Sequence, residues 1–117
     1  MRLRLPKERI IFAVDFIATQ QVLFRNLPDS FLPNWENSLQ RVLALDGERM
    51  IPGHAGPGGR LGTKDDLKNL LAYMADLSAE VKNAADAGKC WDGPMKDLKL
   101  PKCESWEIGR ASCRERV

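Results

Sequence analysis

The sequence predicts a mixed α/β fold with short strands and two to three helices, and three observations support this prediction. A continuously apolar run at residues 10–14 is typical of a strand that is covered on both faces. A second short apolar run, at Met50 and Ile51, follows a segment with helical periodicity, and a long helical pattern begins near Lys64. Alternation of strands and helices is the pattern of α/β proteins.

The first predicted strand covers residues 9–15 and ends at the carboxylate of Asp15. Residues 16–33 carry scattered apolar side chains and two prolines, which predicts an irregular packed connection. Asn34 is a suitable cap for the helix that follows, and Asp46-Gly47 ends it. Its apolar stripe consists of Trp35, Leu39, Val42 and Leu43.

The second predicted strand, at Met50 and Ile51, leads into Pro52-Gly53-His54. Five glycines between residues 53 and 62 predict a loop. Thr63 and Asp66 then form a capping-box pattern, and Gly88 is a natural stop, so we predict a helix over residues 64–87. One more short helix is expected around residues 91–101, packed back on the body of the protein.

The last eleven residues, 107–117, have no useful periodicity and resemble read-through from a cloning or sequencing adapter. We therefore interpret residues 1–106 as the domain and residues 107–117 as a non-native tail. The 117 residues carry a net charge of +2, which gives no reason to expect nucleic acid or an anionic membrane as a partner. The longest apolar run is far shorter than the roughly 20 residues of a membrane span. The sequence does not indicate the subcellular compartment of the protein.

Asp15 and His54 are the residues that could carry chemistry. Each lies where an apolar strand gives way to a polar or glycine-rich segment, and the sole histidine could bind a metal or transfer protons. If the two strands share a sheet, both side chains lie at one edge of it. The alternative is that Asp15 caps a turn and that His54 merely begins a loop.

Three motifs together resemble the C-terminal half of a metallo-β-lactamase-fold hydrolase over residues 9–87. They are Phe12-Ala-Val-Asp15, the Trp35/Leu39 helix, and Met50-Ile-Pro-Gly-His54 before a glycine-rich loop and a long helix. The resemblance implies half of an αββα sandwich and a dinuclear metal centre, expected to be zinc, with Asp15 bridging both ions and His54 binding one. It also implies hydrolysis of an ester, thioester, amide or phosphodiester in a small-molecule substrate, with residues 55–61 bordering the cleft.

Two departures from that family pattern qualify the expectation. Val14 stands where the family often has glycine, and the motif His-x-His-x-Asp-His is absent from a chain with one histidine. Catalytic zinc normally has three protein ligands, so we expect a fragment that binds zinc weakly and is inactive without the missing N-terminal half. The alternative is a small, non-catalytic α/β interaction module.

Two further patterns bear on possible binding chemistry. Cys90 and Cys103 could form a disulfide or remain as two free thiols, and the sequence leaves both alternatives open. The order Gly62-Thr63-Lys64 reverses that of a phosphate-binding loop, which makes nucleotide binding a poor interpretation.

Overall fold

The fold is a mixed α/β arrangement, which a computed structural model describes for residues 2–22, 31–90 and 99–108. The helices are α1 (Leu32–Leu43) and α2 (Lys64–Asp86). The strands are β1 (Arg2–Leu5), β2 (Ile10–Ala18), β3 (Gln21–Val22), β4 (Arg49–His54), β5 (Gly62–Thr63) and β6 (Glu107–Ile108). The predicted α/β class is confirmed.

The main sheet has four strands in the order β1-β2-β4-β5. Its central pair, β2 and β4, is parallel, and the chain crosses between these strands through α1. The outer strands β1 and β5 run antiparallel to their neighbours. A second, two-stranded sheet pairs β3 with β6 in parallel. The hydrophobic pattern predicted the central strands, whereas β1, with its alternating arginines and leucines, was not predicted.

The observed α1 differs from the predicted helix at both ends, since it ends at Leu43, before the predicted stop at Asp46-Gly47. That helix begins after Phe31 rather than at Asn34, with Pro33 in its first turn and no side-chain cap. Proline is tolerated there because the first N–H groups of a helix have no partner within the helix. Pro33 therefore belongs to the helix rather than to the connection that precedes it. Leu39 and Val42 of the predicted stripe are buried.

The long helix α2 was predicted almost to the residue. Thr63 and Asp66 form the capping box, with the hydroxyl of Thr63 accepting from the Asp66 amide. The helix ends at Asp86, and Gly88 follows with a φ of 68°. That left-handed conformation is one that glycine adopts without strain, which explains why the helix ends there.

The core lies between one face of the main sheet and the two helices. Its members are Ile11, Ala13, Ile17, Leu39, Val42, Met50, Leu67, Leu70, Tyr73 and Met74. Side chains alternate between the two faces of a strand, so Ile11, Ala13 and the paired Met50 all point toward the helices. Neither described helix has the length and apolar character that a membrane crossing requires.

The C-terminal segment packs against this core from the outside. Leu100, Cys103 and Trp106 contact it, and the Trp106 ring lies 5.2 Å from that of Tyr73. Residues 101–103 form a single 3₁₀ turn, whereas residues 91–98, where most of the predicted short helix falls, lie outside the described residues. The first two residues of the proposed tail form β6, and residues 109–117 also lie outside the described part.

Gly47, between α1 and β4, is required by close packing. A Cβ atom at this position would lie 2.7 Å from two side-chain carbons of Ile11. We expect Gly47→Ala to lower the free energy of unfolding by about 2 kcal/mol, because overpacking a buried site forces neighbouring atoms to move. Urea denaturation measures this change.

A double-mutant cycle with Ile11→Ala is the control for Gly47→Ala. Truncation of Ile11 removes the carbons that a new Cβ would meet, so the second substitution should cost much less in that background. Additive effects of the two substitutions would contradict the steric explanation.

Candidate functional site

His54 is the last residue of β4, at the end where the parallel strands β2 and β4 both finish. The residue is half-buried, and its carbonyl oxygen accepts a hydrogen bond of 3.2 Å from the amide of Thr19. The strand includes Pro52 and Gly53, whereas the sequence predicted that Pro52 follows the strand and that Gly53 begins a loop. His54 is therefore held by a strand rather than by a loop.

Asp15 lies on the neighbouring strand, within β2 rather than at its end as predicted. Ala13 pairs with Pro52 and Ala18 pairs with His54, so β2 advances five residues while β4 advances two. Asp15 is in this irregular stretch, and such bulges are common beside active sites because they redirect side chains. The side chain of Asp15 lies outside the described part, so its direction relative to His54 stays a prediction.

The end of β4 is held from the β2–β3 side by two residues that the sequence did not single out. Thr19 binds the carbonyl of His54 through its amide, and the side-chain amide of Gln21 donates to the carbonyl oxygen of Ala55 at 2.8 Å. Thr19 is fully buried, and its hydroxyl has no hydrogen-bond partner among the described residues. No periodicity or motif marks these residues, because their role arises from the pairing of β2 with β4.

The glycine-rich segment after His54 is an ordered turn rather than an open loop. Gly56 and Arg60 form an isolated β-bridge around a 3₁₀ turn, Pro57–Gly59. Gly58 and Gly59 have φ angles of 70° and 79°, which other residues adopt only with strain. Residues 55–61, expected to border a substrate cleft, thus have a defined backbone conformation.

An ion pair ties this turn to the start of α2. The Arg60 guanidinium donates two hydrogen bonds of 2.8 Å to Asp66, whose side chain is 6% exposed. The amide of Thr63 donates to the same carboxylate at 2.8 Å. The hydrogen bonds from Arg60 lower the pKa of Asp66 below its usual value, although burial opposes the shift, and the Thr63 amide adds to the lowering.

The N-terminus of α2 therefore already has an anion of its own. The Asp66 carboxylate accepts from the amide and the hydroxyl of Thr63, the groups that a bound phosphate would use. This arrangement agrees with the poor match of Gly62-Thr63-Lys64 to a phosphate-binding loop.

The described residues contain no complete metal site. Within residues 2–22, 31–90 and 99–108, no group of three or more histidine, cysteine, aspartate or glutamate side chains is suited to hold a metal ion. Cys90 and Cys103 are free thiols, and burial raises the pKa of Cys103. Asp15 and His54, on the adjoining strands β2 and β4, stay the predicted ligands.

Comparisons of the chain with known protein families and with curated proteins found no match.

The Arg60–Asp66 pair should make stability depend on pH. Because the folded-state pKa of Asp66 is lowered, the pair stabilises the fold above the unfolded-state pKa, about 4, and this contribution is lost as the pH falls through the folded-state value. We expect Asp66→Asn to cost about 2 kcal/mol at pH 7 and progressively less below pH ~4. Urea denaturation at a series of pH values measures the difference.

Asp65→Asn is the matched control, since it removes the same charge one residue earlier from a side chain that is 86% exposed. We expect it to change stability by less than about 0.5 kcal/mol at any pH. Equal effects of the two substitutions would show that helix-end charge alone, rather than the Arg60–Asp66 pair, is responsible.

Proposed function

We propose that this chain is the C-terminal part of a metal-dependent hydrolase with the metallo-β-lactamase fold, and that it supplies Asp15 and His54 to a dinuclear zinc centre. The remaining ligands would come from a segment carrying the His-x-His-x-Asp-His motif, which these 117 residues lack. The reaction proposed for the whole enzyme is hydrolysis of an ester, thioester, amide or phosphodiester in a small molecule.

The observation that carries the proposal is the parallel pairing of β2 with β4. This pairing puts the two candidate ligands, far apart in sequence, on adjacent strands near one edge of the sheet. The bulge that contains Asp15 supports the same conclusion, because bulges are common beside active sites, where they redirect side chains. Both features are independent of the sequence motifs that suggested the family.

The second face of the main sheet supports the finer assignment to an αββα sandwich. Phe12 and its partner Ile51 point away from the helices, as does Ile10. These apolar side chains are only half-buried and do not belong to the cluster that the described helices form with the sheet. A sandwich of two sheets would cover this face with the second sheet, which fits a partner from the missing half of the fold.

The chemistry proposed for the site follows from its donor set. Carboxylate and imidazole are both zinc ligands, and bound zinc supplies the Lewis acidity that activates water and polarises a carbonyl or phosphoryl oxygen. The role of this chain is to hold its two ligands at a fixed separation. The hydrogen bonds of Thr19 and Gln21 to residues 54 and 55 restrict the backbone that carries the imidazole.

Zinc titration followed by NMR tests the proposal, because the sole histidine gives one set of imidazole signals. We expect zinc to shift the imidazole signals of His54 and the amide signal of Asp15 with the same midpoint. Removal of the carboxylate by Asp15→Asn should weaken zinc binding by at least about tenfold, because the site then loses the negatively charged ligand that this chain supplies. Loss of the amide shift should accompany the weaker binding.

Asp46→Asn is the control, because Asp46 is an exposed carboxylate that pairs with Arg4 and Arg9. It should leave the zinc midpoint unchanged. An unchanged midpoint in Asp15→Asn would contradict the proposal and favour the non-catalytic interaction module. Tight stoichiometric zinc, or esterase activity that a chelator removes, would contradict the expectation that this chain holds only part of the centre.

Truncation of Phe12 tests whether the second sheet face lacks a covering layer in this chain. We expect Phe12→Ala to cost about 1 kcal/mol, against about 3 kcal/mol for Met50→Ala, because only the Met50 side chain is enclosed by the helices. Urea denaturation of both variants measures the difference. Equal costs would show that Phe12 is already enclosed and would remove this support for a missing sheet.

A further inference from the structure

The side chain of Thr19 fills the space behind the turn that follows His54. Thr19 has no exposed surface, although it lies just beyond the end of β2. A Cβ atom built on Gly56 would meet the Thr19 methyl carbon at 2.9 Å, and one built on Gly62 would meet its hydroxyl oxygen at 3.3 Å. Thr19 therefore contacts both ends of the turn, and glycines there allow the contact.

The main chain of Thr19 adds a direct link to the candidate ligand. Its amide donates to the carbonyl oxygen of His54. Thr19 directly follows Ala18, the last residue of β2 that pairs with β4. The same residue thus holds the backbone of His54 on one side and supports Gly56 on the other. Gly56 in turn receives the bridge to Arg60, which is anchored on Asp66.

The buried hydroxyl oxygen of Thr19 makes no hydrogen bond within the part of the chain that the structure describes. Burial of a hydroxyl without a partner opposes folding, and valine has nearly the same shape without that cost. The described contacts of Thr19 depend on the shape of its side chain rather than on its polarity.

We propose that Thr19 is a positioning residue for His54, and that the bulk of its β-branched side chain holds the turn of residues 55–62 against β2. The consequence for zinc binding rests on the function proposed above. The consequence for the turn does not, because it concerns the backbone of the metal-free protein.

Amide hydrogen exchange in the metal-free chain tests the turn. The reporters are the amides of Gly56 and Gly59, which donate to Arg60 and Gly56. We expect Thr19→Ala to speed their exchange by at least about tenfold, whereas Thr19→Val leaves it unchanged and raises the urea midpoint. Thr19→Ser, which removes only the methyl group, should speed exchange at Gly56 and serves if the alanine variant does not fold.

Val42→Ala is the control for a general loss of stability. Val42 is buried in α1, and none of its atoms is among those nearest to the turn glycines. It should lower stability without selectively speeding exchange of the two reporter amides. Exchange that rises equally in Thr19→Ala and Val42→Ala, or rises as much in Thr19→Val, would overturn the proposal.

Zinc titration of the same variants separates this proposal from the function on which its second part rests. Thr19→Ala should reduce the response of the His54 signals to zinc by about tenfold, and Thr19→Val should restore it, as expected for a group that supports a metal ligand. If Asp15→Asn leaves zinc binding unchanged while the exchange results hold, the hydrolase proposal fails and Thr19 still holds the turn. If exchange is unaffected by Thr19→Ala, the role of Thr19 fails whatever zinc does.

Discussion

The parallel pairing of β2 with β4 is the interaction on which the rest of the structure depends. It joins segments separated by α1, it forms the surface on which both helices pack, and it brings the ends of the two strands together. A parallel pair cannot be closed by a tight turn, so the crossover through α1 is a requirement of this topology. Loss of the pairing would separate the core and the candidate site at once.

The sequence predicted the elements whose periodicity is strong and local. The capping box of α2, its terminal glycine and the apolar run of β2 all depend on residues close together in the chain, and each was recognised. The start of α1 was misjudged because Pro33 has two local interpretations, as the end of a connection or as a residue of the first turn. The arginines that alternate with leucines in β1 gave no continuous apolar run, and this strand is defined by its pairing with β2.

The sequence proposed residues for the candidate site but gave no indication of how the strands around them are built. Strand-end positions and ligand chemistry pointed to Asp15 and His54, whereas the bulge between them depends on how unequal lengths of β2 and β4 are accommodated. Thr19 and Gln21 gave no signal for the same reason, since a threonine in an irregular segment acquires its role only when another strand lies beside it. Pairing between strands that are far apart in the sequence determines such features, and a single amino-acid sequence gives little indication of that pairing.

The half-buried face of the main sheet also affects the colloidal behaviour of the isolated chain. Phe12 and Ile51 give that side an apolar surface, while the net charge of +2 supplies little long-range repulsion between molecules. Two copies that meet through this side would remove hydrocarbon from water without opposing each other electrostatically. We therefore expect the apolar side chains on this face, more than the average composition of the chain, to limit its solubility at high concentration.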